Sequence, residues 1–381
     1  MKVAFVTNFI PPYRRTFYEK LCRNGSDFDW LIIRGSTGEE GRLATVEGVD
    51  VPQREVVNAE RKLGPFTLRW QGGALAAVRA WRPEILVLLG ISGTFSNWAL
   101  LAWARWHRVP VLMWTCGWEP HAPTSLAFRL KKRIARIYFR AATHLLVYST
   151  KGQRYIEALG VPGARVSVCY NGIETDHLLA REPASLAAAR ELRERQASPD
   201  AELILFVGAM LAQKRLDLLI EAFAAIRRAR PQAQLWLVGD GPERAAAERL
   251  VARDDIPGVR FMGRIVDGVD AYFAAADVVV LPGIGGLVLN EAMFWGRPCV
   301  VSVADGTEDD LVLDGVTGCR FDDGDSTSLG LAIRKCLELT LSERDQLGQH
   351  ARRLIVERSN VNCMVDTFLT ALLKLRDRAR P

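Results

Sequence analysis

Apolar positions along this chain come in short blocks. Continuous apolar runs recur at Val3–Thr7, Ile85–Leu89, Val109–Trp114, His144–Tyr148 and Val166–Tyr170. They return at Leu203–Val207, Gln234–Val238, Val259–Met262, Val278–Leu281 and Cys299–Val303. Runs this short with little polar interruption read as strands buried on both faces, the habit of parallel sheets. Between most of them the spacing turns helical, as in Leu216–Arg228 and Pro242–Ala252. Alternating strands and helices imply parallel sheets with helices on both sides. The opening MKVAFVT reads as the first buried strand, because Thr7 and Asn8 interrupt it and no small-residue cleavage site follows. No segment approaches the roughly 20 apolar residues that span a bilayer.

Two runs begin a new series: Met1–Thr7 and Leu203–Met210. Between them Leu179–Pro199 is rich in Ala, Arg and Glu and has no aromatic or β-branched residue. It reads as an exposed helix and linker. The expectation is two Rossmann-like domains facing across a cleft, 1–185 and 200–360, with a hinge at 185–200. An amphipathic helix over 361–381 then packs back on the first domain. Ligands of such sheets bind beyond the carboxyl ends of the strands, which puts the active site in the cleft.

Composition narrows the class. The 381 residues are 49% hydrophobic and 25% charged, as in ordinary globular proteins. A net charge of +6 suits a phosphorylated ligand, an anionic membrane or nucleic acid, and does not choose among them. The seven cysteines are odd in number, scattered, and contain no C-x-x-C. That argues against a disulfide framework or a zinc site and points to a reducing cytosol.

The most informative stretch is LPGIGGLVLNEAMFWG, Leu281–Gly296. It follows a buried strand, turns on Gly283, Gly285 and Gly286, and becomes helical from Leu287. A glycine loop at a helix N-terminus leaves amides free and adds the helix dipole, so it holds anions. Glu291 lies one turn into that helix, on the face of Leu287, where its carboxylate can accept bonds from sugar hydroxyls. The pair suggests a nucleotide diphosphate-sugar.

Four segments of the second half resemble glycosyltransferase family 4, the retaining sugar-nucleotide transferases of the GT-B fold. They are FVGAMLAQKRLDLLIEAF (206–223), WLVGDGPE (236–243), VRFMGRI (259–265) and LPGIGGLVLNEAM (281–293). DLVLDGVTGCRF (310–321) is a fifth, and all occur in the family's order. The resemblance implies that the amides of Gly285, Gly286, Leu287 and Val288 hold the diphosphate and that Lys214 neutralises it. It implies that Glu291 binds the ribose and that the Arg264 segment meets the base. Two positions depart from the pattern. Gly283 stands where the family commonly has a glutamate for the transferred sugar, and Ala209 where an arginine often precedes the lysine. Arg215 is a candidate replacement for that arginine, with a plain surface charge as its alternative.

The first half resembles the family more loosely. The loop NFIPPYRRTFYEKL (8–21) places Tyr13 and Arg14 after the first strand, where related transferases face the cleft. In VLMWTCGWEPH (111–121), Cys116 occupies the position of a frequent histidine. A thiol is a poor proton carrier at neutral pH, so Glu119 and His121 become the candidates to replace it, and Trp118 a candidate to stack on a sugar. Gly90, Gly93 and Thr94 form a second glycine turn before a helix, LLGISGTFSNWAL (88–100).

SLAFRLKKRIARIYFRAA (125–142) carries six basic residues and no acid. A helical wheel puts Leu126, Leu130, Ile134, Ile137, Tyr138 and Ala141 on one face, expected to pack inward, and Arg129, Lys132, Arg133, Arg136 and Arg140 beside it. Such a face suits anionic lipid. Nucleic acid is not expected, for lack of a recognised module.

The resemblance therefore implies a cytosolic retaining glycosyltransferase, peripheral on the inner membrane face if the basic helix docks. It would use a nucleotide-sugar donor, a sugar or lipid-linked acceptor, and neither metal nor bound cofactor. A non-catalytic nucleotide-sugar-binding subunit and a nucleotide-sugar epimerase of the same fold are the alternatives.

Overall fold

Each apolar run named above forms a strand; burial on both faces accounts for the inner ones, while Val166–Val168 and Val259–Gly263 lie at sheet edges and are only partly buried. The computed structural model describes residues 1–36, 46–63, 66–118 and 126–379. The chain divides into two units, Met1–Tyr170 with Val361–Pro381 (unit 1) and Asn171–Asn360 (unit 2).

Unit 1 begins β1 (Lys2–Thr7), α1 (Arg15–Asn24), β2 (Asp29–Gly35), β3 (Gln53–Leu63), β4 (Phe66–Gly72) and α2 (Ala74–Trp81). It continues β5 (Ile85–Leu89), α3 (Phe95–Trp106), β6 (Val111–Thr115), α4 (Leu126–Arg140), β7 (His144–Val147), α5 (Thr150–Ala158) and β8 (Val166–Val168). The eight strands lie in the order β4-β3-β2-β1-β5-β6-β7-β8. All neighbours are parallel except β3 with β4. The sequence pattern did not announce this β3–β4 edge. Its strands carry Arg54, Glu55, Glu60 and Arg61, and even Val57 and Trp70 are exposed. An edge strand defended by charge has no apolar run to find.

Unit 2 begins α6 (Thr175–Gln196), β9 (Glu202–Val207), α7 (Leu216–Ala229), β10 (Ala233–Val238), α8 (Arg244–Arg253), β11 (Val259–Gly263) and α9 (Val269–Ala275). Then follow β12 (Val278–Leu281), α10 (Leu287–Phe294), β13 (Cys299–Val301), α11 (Thr307–Leu311), β14 (Gly318–Arg320), α12 (Ser326–Leu337) and α13 (Leu341–Arg358). Its sheet is wholly parallel, in the order β11-β10-β9-β12-β13-β14.

The boundary differs from the hinge expected at 185–200. Residues 185–196 of that stretch are the second half of helix α6, and unit 2 starts before it, at Asn171. Arg193 explains why α6 is held: it donates to Ala275 O at 2.6 Å and pairs with Asp277 at 3.1 Å. Arg352 grips Glu182 from α13, with Nη2 to Oε2 at 2.7 Å.

The last helix, α14 (Val361–Ala379), belongs to unit 1. Val361, Met364, Val365, Phe368, Ala371, Leu372 and Leu375 are buried and form one helical stripe. Phe368 meets Phe5, Phe17 and Trp114 at ring distances of 6.0, 5.1 and 5.2 Å. Among the described residues no helix is long and apolar enough to cross a membrane. Phe368→Ala removes the centre of that aromatic cluster and is expected to cost about 3–5 kcal/mol, read as an earlier urea midpoint. An unchanged midpoint would show that α14 contributes little to unit 1.

Candidate functional site

In unit 2 the chain winds one way from β9 through β10 to β11, then returns to β12 on the other side of β9. That reversal opens a crevice beyond the carboxyl ends of β9 and β12, where parallel sheets take their ligands. Two loops flank it, Gly208–Arg215 after β9 and Pro282–Gly286 after β12.

The loops touch main chain to main chain. A Cβ on Gly283 would lie 2.1 Å from Gln213 O, and one on Gly239, after β10, 1.9 Å from Gly208 O. Only glycine permits such approach. The amide of Ile284 donates to Gln213 O at 3.2 Å. Lys214 closes the contact: its Nζ donates to Ile284 O and, at 3.4 Å, to Gly285 O. Burial lowers the Lys214 pKa, and Asp305, in the loop after β13, pulls it back up. Glu308 shapes that loop by accepting the amides of Ala304 and Gly306, each at 2.8 Å.

Helix α10 starts at the open side of the crevice. Gly286 has φ 64° and ψ −144°, a conformation for glycine, and caps α10 without a side chain. A Cβ there would meet nothing within 4 Å. The first amides of a helix have no partner within it. Those of Gly285, Gly286 and Leu287 have no hydrogen-bond acceptor among the described residues. Asn290 anchors the helix from behind, donating to Asn171 O and Ser359 Oγ, both at 3.0 Å.

Glu291 is half-buried, and no protein group donates a hydrogen bond to its carboxylate among the described residues. Burial first, and the nearby Asp270 second, push its pKa up to about 7. Asp270 itself is buried and pairs with Arg181 at 3.6 Å.

In unit 1 the comparable end of the sheet holds a cavity of about 870 Å³. Gly90 and Gly93 after β5, Cys116 and Trp118 after β6, and Lys131 and Lys132 of α4 line it. Three segments distant in sequence thus meet at one place.

Two family models match the chain: "Glycosyl transferase 4-like domain" over residues 10–172 and "Glycosyl transferases group 1" over 201–339. The chain belongs to the family-4 glycosyltransferases. It is 26% identical to the sulfoquinovosyl transferase SQD2 of Arabidopsis thaliana over 76% of this chain and 56% of that one. It is 27% identical to a GDP-mannose-dependent phosphatidylinositol dimannoside mannosyltransferase of Mycobacterium tuberculosis, over 79% of each. The chain spans between 35% and 79% of the curated relatives' own lengths. The solved structure of Anabaena HepE with UDP superposes with a TM-score of 0.76 at 19% identity, covering 98% of this chain and 100% of that one. The fold is therefore GT-B.

Against this family's pattern, the structure gathers Lys214, Gly285, Gly286, Leu287, Val288 and Glu291 at one crevice. Arg264 is exposed in the loop after β11. Arg215 is turned to Asp217, Nε to Oδ1 at 3.3 Å, in a local, exposed ion pair. Tyr13 and Arg14 stay together, the Arg14 guanidinium 5.5 Å from the Tyr13 ring centre, but differ in exposure. Tyr13 is 53% exposed, whereas Arg14 is buried, its guanidinium 4.7 Å from the Trp114 ring centre and 3.3 Å from Met364 Sδ. Arg14 thus serves the interior of unit 1. Glu119 and His121 lie outside the described residues. Asn290, Gly239 and Glu308 were not anticipated: each acts through a backbone group that the sequence does not reveal.

Helix α4 also departs from expectation. Ala135, Tyr138 and Phe139 face the core, while Leu130, Ile134 and Ile137 are exposed. Tyr138 sets the rotation, donating to Leu89 O at 3.0 Å and accepting from Asn97 at 3.0 Å.

Glu291 makes stability depend on pH. Its folded pKa, about 7, lies above the ordinary 4.5, so the folded chain holds the extra proton. The contribution is complete below the ordinary value and is lost as pH rises through about 7. Glu291→Gln is expected to melt later than wild type at pH 8, by up to roughly 3 kcal/mol, and with it at pH 4.5. Parallel melting at both pH values would disprove the buried-carboxylate account.

Proposed function

We propose that the chain transfers a sugar from a nucleotide diphosphate-sugar to an acceptor hydroxyl in glycoconjugate synthesis. The observation that carries this reading is the row of open amides at Gly285–Leu287, beside Lys214 and one turn from Glu291. Amides at a helix start bind phosphate oxygens, and Lys214 adds a fixed cation. Breaking the bond between the anomeric carbon and the diphosphate puts negative charge on the leaving oxygen. Preorganised donors stabilise that charge in the transition state. Glu291 accepts the ribose hydroxyls. The reading assigns neutralisation to the protein and needs no metal.

Relatives support the donor class: one is named GDP-mannose-dependent, and HepE was solved with UDP-glucose. Retention of configuration follows from front-face attack, with the leaving phosphate taking the acceptor proton. The acceptor is assigned to the unit 1 cavity, which Trp118 lines with one ring face already under the Lys151 ammonium at 3.9 Å. A binding subunit without transfer is the second reading, favoured by Gly283. The contact with Gln213 O leaves no room for the glutamate that usually handles the donor sugar. Donor hydrolysis without acceptor separates transferase from binder.

The exposed stripe Leu130, Ile134 and Ile137, with Arg129, Lys132 and Arg133, supports docking of α4 on an anionic membrane at the cytoplasmic side. An acceptor carried on lipid fits that placement.

UDP- and GDP-sugars supplied at about 100 times Kd should stabilise the cognate complex by about 2.7 kcal/mol. Lys214→Ala is expected to abolish that shift and lower transfer by about 10²–10³-fold. A mutant with wild-type shift and rate would remove Lys214 from the site. Donor affinity should rise from pH 6 to pH 8 as Glu291 ionises, and Glu291→Gln should flatten the profile. A profile unaltered by that change would take Glu291 out of donor binding.

For docking, Arg129→Glu with Arg133→Glu deletes two positive charges worth about 1 kcal/mol each. Binding to phosphatidylglycerol vesicles should fall by roughly 30-fold or more. Equal binding by mutant and wild type would retire membrane docking through α4.

A further inference from the structure

At the other end of β6 from the acceptor cavity, unit 1 has a second groove of about 1080 Å³. It runs between the C-terminal parts of α3 and α4. Arg105 and Arg108 line it from the α3 side, Arg136 and Arg140 from α4, and no acidic residue lines it. All four arginines are exposed, and none pairs with a carboxylate among the described residues. A fifth, Arg165, is already committed: it donates to Arg140 O at 3.0 Å and Thr143 O at 3.2 Å. Between the charges the lining is apolar apart from Thr143, with Ile137 and side chains of α3 and β6.

The Arg136 and Arg140 guanidiniums both lie beside Gly160, at the edge of the groove. A Cβ placed on Gly160 would be 3.5 Å from Arg136 Nη2 and 3.8 Å from Arg140 Nη1. Two like charges within reach of one point repel, and an anion shared between them relieves the repulsion. Guanidinium forks match phosphate oxygens in pairs. The surroundings point to a phosphate on an amphiphile. Trp106, next to Arg105 in sequence, is 85% exposed, and Ile137 is 63% exposed. Tryptophan favours the headgroup level of a bilayer.

We propose that this groove binds the phosphate of an anionic phospholipid, with the glycerol end of its chains along the apolar lining. The site is separate from the donor crevice and the acceptor cavity. It rests on the membrane-docking reading only for the source of the lipid. Docking by the α4 surface alone requires charge but no site. The groove adds a saturable headgroup position built partly from α3.

The test uses single lipid molecules, so that surface attraction plays no part. Dihexanoyl phosphatidylglycerol is titrated below its micelle concentration into the full chain and followed by calorimetry. Saturable one-to-one binding is expected, at least tenfold weaker in Arg105→Glu with Arg108→Glu, which leaves α4 untouched. Arg105→Gln with Arg108→Gln, the milder pair, should weaken it in the same direction if the charge reversal unfolds the chain. Dihexanoyl phosphatidylcholine should not bind. Equal affinity for the two lipids, or unchanged affinity in both arginine pairs, overturns the proposal. Glycerol 3-phosphate binding as tightly as the lipid also overturns it, replacing a lipid site with one for free phosphate esters. Loss of vesicle binding in Arg129→Glu with Arg133→Glu, with this titration intact, would locate surface docking and headgroup binding in different residues.

Discussion

Main chain lying directly on main chain is the constraint on which the unit 2 site depends. Gly239 lies against Gly208 O and Gly283 against Gln213 O. Side chains at those glycines would force the loops after β9, β10 and β12 apart. With them together, the Lys214 ammonium reaches the carbonyls of Ile284 and Gly285, and the N-terminus of α10 stays uncovered. The same contact accounts for Gly283 in place of the family's usual glutamate. Room for that side chain has been exchanged for a close loop junction.

The charges of the crevice are held in tension before a ligand arrives. Burial disfavours the ammonium form of Lys214 and the carboxylate form of Glu291. On the proposed function, a diphosphate restores the first and hydroxyl donors from a ribose restore the second. On the proposed reading, groups fixed in place before the ligand arrives, as Lys214 is by the carbonyls of Ile284 and Gly285, need little rearrangement during reaction. Asn290 contributes to that rigidity by tying α10 to both ends of unit 2, at Asn171 and Ser359.

Unit 1 repeats the arrangement with different chemistry. Its cavity also lies at the carboxyl ends of parallel strands, but indole, thiol and lysine side chains line it where unit 2 offers amides. Helix α4 serves three surroundings at once: Tyr138 toward the core, Lys131 and Lys132 toward the cavity, and Arg136 and Arg140 toward the second groove. One hydrogen-bonded tyrosine sets the rotation that allows this.

Local sequence was enough for the buried parallel strands, the glycine turn before α10, and the kinship carried by residues 206–293. Each depends on side chains within one short segment, whose periodicity and backbone freedom are written where they act. Outcomes that depend on residues far apart were not legible. The charged β3–β4 edge pairs without an apolar run. Arg14 turns inward onto the Trp114 ring and reaches Met364 of α14, 350 positions away. The aliphatic stripe of α4 points outward because Tyr138 bonds to β5 and Asn97. A helical wheel shows which residues share a face. Only the partners packed against the helix determine which face is buried.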